Sequence, residues 1–133
     1  MPRPPPRIAV LCTNQAMVQD TGTYTFTATN YSGHTGVKLV VLADTEVGTA
    51  LLDIKIQGKN TAENAWYDIP GASLAQISAN QTASIDLVIH PAITAVANRA
   101  VSQVVPREIR VVFTLTDATT EGFTVTAELH FIP

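Results

Sequence analysis

Cysteine is almost missing from this chain of 133 residues: Cys12 stands alone. A lone cysteine excludes an intrachain disulfide and any cysteine-based zinc site. Charge is scarce too, at 14% of residues against about 25% in an average soluble domain. Threonine takes up much of the difference, so the surface is polar but poorly charged, as suits a surface that ends against other protein. The net charge of −3 offers no electrostatic footprint for nucleic acid, and no polybasic patch suits a membrane surface. No apolar run reaches the roughly 20 residues of a membrane-spanning helix. The stretch MPRPPPRIAVLC lacks the apolar core of a signal peptide, so the expected product is cytoplasmic and unexported. Asn30-Tyr31-Ser32 and Asn80-Gln81-Thr82 match a glycosylation pattern that has no meaning without secretion.

What is present reads as one all-β domain, because 133 residues suffice for one buried core. The chain is organised around Leu51 to Pro70, LLDIKIQGKNTAENAWYDIP. Leu52, Ile54 and Ile56 share one face of a strand, and Asp53, Lys55 and Gln57 share the other. Gly58, Lys59, Asn60 and Thr61 supply turn chemistry, and the chain re-enters at Trp66 to Pro70 as the second arm of a hairpin. Further strands are predicted at Ile8 to Leu11, Thr23 to Thr29, Val37 to Ala43, Thr82 to His90, Arg107 to Thr116 and Gly122 to Ile132. Val37 to Ala43 is nearly all apolar and reads as a central strand covered on both faces. Pro91 to Val105 has apolar residues at helical spacing. Its many β-branched residues, bracketing prolines and missing cap favour an irregular or extended crossover. Seven or eight short strands with turns between them predict a β-sandwich or squashed barrel.

The last two strands carry a sharper expectation. If they form a hairpin closed by Asp117 to Glu121, the pleat aligns Thr114 with Thr124, Arg110 with Glu128 and Glu108 with His130.

Residues suited to chemistry are few. His34, His90 and His130 do not stand at metal-ligand spacing with one another. Asp44-Thr45-Glu46 reads as a solvated acidic turn rather than a cation site. No serine sits in a nucleophile elbow, and no glycine loop could cradle a phosphate. Cys12 follows an apolar run and reads as a small buried hydrophobe. No cofactor and no enzymatic activity are expected. Two places suit a partner. Pro2, Arg3, Pro4, Pro5, Pro6 and Arg7 form a proline-rich arm at residues 1–7, ahead of the domain at 8–133. It reads either as a disordered terminus or as a stiff segment laid across a neighbouring subunit, with Arg3 and Arg7 as polar anchors. Trp66 and Tyr67 alternate to opposite faces. Tyr67 joins the core with Ile69, and Trp66 packs at the sandwich edge or is exposed at an interface.

Three stretches together carry a resemblance: residues 51–78, IHPAITAVANRAVSQVVPREIRVVFTL at 89–115, and GFTVTAELHFIP at the C-terminus. Their layout resembles the small β-sandwich structural proteins of tailed bacteriophages. The matching residues are Leu52, Asp53, Lys55 and Gln57, then Trp66 to Gly71, then Pro106, Arg107 and Arg110 to Thr114, within about two-thirds of the chain. The resemblance implies a virion protein without catalysis. The expected role is a capsid cement or decoration subunit on the outer capsid surface, binding across neighbouring major capsid proteins and stabilising them. Its class further implies a homo-oligomer, with a trimer favoured. A tail or head–tail connector component with the same fold, and a carbohydrate-binding or adhesin-like module using Trp66, are the alternatives.

Overall fold

A computed structural model describes residues 7–17, 23–30, 34–44, 50–116 and 122–133. These residues form nine strands and no helix: β1 (Arg7–Met17), β2 (Thr23–Thr29), β3 (Gly36–Asp44), β4 (Leu51–Asn60), β5 (Ala65–Ser73), β6 (Ile85–Ile89), β7 (Ala100–Val101), β8 (Glu108–Thr116) and β9 (Phe123–Ile132). Two sheets divide them, in the orders β1-β9-β3-β6-β7 and β2-β8-β4-β5. The expected β-sandwich is the fold. The strand number exceeds seven or eight because the 91–105 crossover contributes the two-residue β7, which pairs parallel with β6. That crossover contains no helix. It closes a tight turn from Val96 to Ala100, with Asn98 at φ 60°.

The inner faces of both sheets supply one core, in which Met17, Phe113, Phe123 and Phe131 are all fully buried. Phe26 meets Phe113 edge-on, with ring centroids 5.7 Å apart. Each such large side chain contributes about 1.5–3 kcal/mol by leaving water.

The expected hairpin of the last two strands does not form. β8 lies between β2 and β4, and β9 lies between β1 and β3, in the opposite sheet. Arg110 is therefore registered with Thr27 and Gln57, and Glu128 with Val10 and Val40. The apolar residues of both strands do turn to the core, but face to face across it. Stacked faces bury each other, whereas a hairpin would leave one joint face still to be covered. The five residues expected to close that hairpin lie outside the described set.

Four local readings also change. The first strand runs to Met17, not Leu11, because two register shifts along β9, with Asn14 at φ 47°, let CTNQAM stay paired despite its broken alternation. Arg7, expected to end the arm, begins that strand. β3 is central in its sheet, but Lys38, Val40 and Leu42 on its outer face are only half-buried. The hairpin turn falls at residues 61–64, with Asn64 at φ 53°, and Gly58 lies inside β4. β5 then bulges at Pro70-Gly71, where Gly71 has φ 78°. Beyond it the chain returns to β4, where Ile77 and Leu52 exchange backbone hydrogen bonds of 2.9 Å.

Candidate partner-binding site

β5, β4 and β8 lie side by side, and the pleat sends Trp66, Asp68, Lys55, Gln57, Lys59, Glu108 and Arg110 to the outer face of their sheet. The Arg110 guanidinium lies 4.6 Å from the centroid of the Trp66 ring, and the Lys59 ammonium 5.6 Å from it. Both distances fall within the reach of a cation–π attraction. Arg110 Nε donates to Gln57 Oε1 at 2.6 Å, and Gln57 Nε2 donates on to Asp68 Oδ1 at 2.7 Å. Lys55 reaches the same carboxylate at 3.0 Å, and Lys59 pairs with Glu108 at 3.6 Å. The Gln57 hydrogen bond, followed by Lys55, holds the Asp68 carboxyl below its ordinary pKa. Trp66 is thus half-buried on the outer face of the edge strand β5, braced by two cations.

Tyr67 takes the other face, as alternation requires, but it does not enter the core. It is 44% exposed at the end of the sandwich. Its ring crosses above Gly58, where an added Cβ would lie 2.6 Å from Tyr67 Oη and 2.8 Å from Pro106 Cγ. Glycine at 58 is what lets the tyrosine lie there. Ile69, two residues on, is buried as expected.

The same end of the sandwich carries the root of the arm. Arg7 donates from Nη1 to the Thr29 carbonyl at 2.8 Å, and its guanidinium lies 5.1 Å from the Phe131 ring centroid. Thr29 is registered with Glu108 on β8, and Glu108 with Lys59 on β4, next to Trp66 on β5. Two depressions line this row. One involves Thr29, Pro106 and Glu108, the other Glu63, Trp66 and Tyr67, and they share Lys59 and Thr61. Pro2, Arg3, Pro4, Pro5 and Pro6 lie outside the described residues.

Protein-family models, curated proteins and solved structures yield no match to this chain. What the site can do therefore follows from its own chemistry.

The outer-face cluster offers one indole ring, three cations and two carboxylates. Among the described residues no three His, Cys, Asp or Glu side chains cluster to hold a metal. His34 is buried: its amide donates to Asn30 Oδ1 at 3.0 Å, and Asn30 Nδ2 returns a 2.8 Å bond to the His34 carbonyl. His90 accepts the Ala92 amide on Nδ1 at 3.0 Å, which leaves Nε2 to carry the proton toward Thr35 Oγ1. His130 meets Glu128 at 2.7 Å along β9, not Glu108. Cys12 is buried as expected, and burial raises its thiol pKa.

Sequence reading singled out Trp66 and missed the groups around it. Lys59 was within reach, since it and Trp66 flank the hairpin tip symmetrically. Arg110 was not: its contact with Gln57 spans 53 residues, and no local pattern reports a pairing made in a sheet assembled from distant strands.

Proposed function

We propose that this protein is a structural virion subunit that decorates the capsid of a tailed phage, binding across neighbouring major capsid proteins and holding them together. The observation that carries this reading is the outer edge of β1. Ile8 and Val10 are 57% and 62% exposed there, on an edge strand paired only with β9 among the described strands. An open strand edge bearing β-branched side chains is an aggregation liability in a free protein and an asset in one built to be covered. In the sequence the proline-rich arm immediately precedes this strand. Apolar side chains and backbone groups can then add to a partner's surface in the manner of strand augmentation. A homo-oligomer around a local symmetry axis, a trimer foremost, would repeat that contact.

The test is gold labelling of the protein on phage particles purified from producing cells. Label spread over the heads supports the decoration role. Label confined to tails or to the neck assigns the tail or connector role instead. Val10→Lys should leave the fold intact, since the side chain faces water, and should abolish retention on heads. Full retention by that variant would remove β1 from the contact.

A further inference from the structure

The open edge of β1 is complementary to itself. Thr35, just ahead of β3, donates its amide to the Ile132 carbonyl at 2.9 Å, so that carbonyl points to β3. Backbone direction alternates along β9, which turns Leu129 and Phe131 toward β1. The Cys12 thiol, donating to the Val125 carbonyl at 3.5 Å, reports the same parity. Leu129 and Phe131 are registered with Ala9 and Arg7, so the amides and carbonyls of those two residues are committed to β9. Ile8 and Val10 alternate with them and present their amides and carbonyls to the open edge. Among the described residues no backbone group outside β9 bonds to either.

The side chains follow the same scheme. Ile8 and Val10 share the outer face of the sheet, both more than half exposed. His130 and Lys38 stand in the row of Ile8 across the sheet, and Glu128 and Asp86 in the row of Val10. One row therefore carries a histidine and a lysine, and the next carries two carboxylates.

We infer that β1 pairs antiparallel with β1 of a second copy, about a two-fold axis at Ala9. Ile8 of each copy then lies opposite Val10 of the other. Each such pair exchanges both of its N–H···O bonds, so the open groups of both edges are all satisfied. The exposed apolar side chains cover each other at the centre of the seam. Outside them, the Lys38 and His130 row of one copy runs on into the Glu128 and Asp86 row of the other, so opposite charges flank the seam. Neighbouring registers lose this match. An axis at Ile8 would set Val10 opposite a proline, which has no amide hydrogen. An axis at Val10 would set Ile8 opposite Cys12, where β1 bulges. A seam running only from Arg7 to Leu11 belongs with interfaces below about 1,200 Å², which are transient, so the edge can still open to another partner. Pairing needs no capsid, so it stands or falls apart from the decoration role.

Sedimentation of the isolated protein should show a monomer–dimer equilibrium, with a dissociation constant on the order of 0.1 mM for so small an interface. Val10→Lys should raise that constant at least ten-fold, with unchanged far-UV circular dichroism. Monomer alone up to about 1 mM overturns the inference, and so does a trimer, because two-fold pairing closes at two copies. A constant unchanged by Val10→Lys puts the contact elsewhere and overturns it too. The register has its own test. Ile8→Lys and Val10→Asp chains should each stay monomeric alone and pair when mixed, because the axis sets one altered position opposite the other. Mixed chains that remain monomeric overturn the axis at Ala9. Ala9→Cys should form a disulfide-linked dimer in glutathione buffer, since a non-hydrogen-bonded pair brings its Cα atoms to about 4.5 Å, and the native Cys12 is buried. Faster cross-linking of Ile8→Cys or Val10→Cys than of Ala9→Cys overturns that axis as well.

Discussion

Arg110 offers a test of how the sheets are assembled. If β8 and β9 belong to opposite sheets, Arg110 and Glu128 face away from each other on the two outsides of the sandwich. Their separation exceeds the roughly 10 Å between packed sheets, and a Debye length of about 8 Å screens what attraction is left. Coupling between Arg110→Ala and Glu128→Ala should then fall within the roughly 0.3–0.5 kcal/mol of additivity expected for distant sites. Arg110 and Trp66 behave differently. At 4.6 Å from the ring centroid, the half-buried guanidinium should couple to the indole by about 0.5–1 kcal/mol. The two double-mutant cycles are measured from urea midpoints followed by far-UV circular dichroism, because one cycle removes the only tryptophan. A coupling above about 1 kcal/mol for Arg110 with Glu128 would restore the hairpin and refute the sandwich register. Absence of coupling between Arg110 and Trp66 would refute the outer-face cluster.

Gly58→Ala places a methyl group 2.6 Å from Tyr67 Oη and 2.8 Å from Pro106 Cγ, and should destabilise by about 1–3 kcal/mol; an unchanged urea midpoint would mean that the tyrosine swings clear at no cost. Asp68 has a lowered pKa in the fold, so the stability it contributes is present above its unfolded value near 3.9 and is lost as pH falls through the folded value. The gap in urea midpoint between wild type and Asp68→Asn should therefore narrow below about pH 4, and a gap constant from pH 6 to pH 2.5 would contradict it. Cys12 is buried and its thiol pKa raised, which predicts slow reaction with Ellman's reagent in native buffer and fast reaction in denaturing urea; equal rates would show that the thiol is reachable. A chain beginning at Arg7 should melt within a few degrees of the full protein, because a terminal arm adds little to the core. A far larger drop in melting temperature would make the arm part of the folding unit.

The sequence by itself determined which side chains turn inward. Ile109, Val111, Phe113 and Leu115 on β8, and Phe123, Val125, Leu129 and Phe131 on β9, are all buried, because a period of two is a local property of the pleat. The all-β class was legible for the same reason. Only the tertiary structure decided which strands are neighbours. β8 and β9 carry the same pattern whether they pair in one sheet or face each other across the core, and the choice rests on contacts with β1, β2, β3 and β4, far away in the chain. Exposure at the ends of the sandwich was decided there too. Alternation aimed Tyr67 away from the Trp66 face correctly, but its ring lies over Gly58 and stays 44% exposed, so direction alone did not bury it. Arg7 makes the same point in reverse: beside four prolines it reads as part of an arm, yet the Thr29 carbonyl and the Phe131 ring, 22 and 124 residues away, hold it at the start of β1.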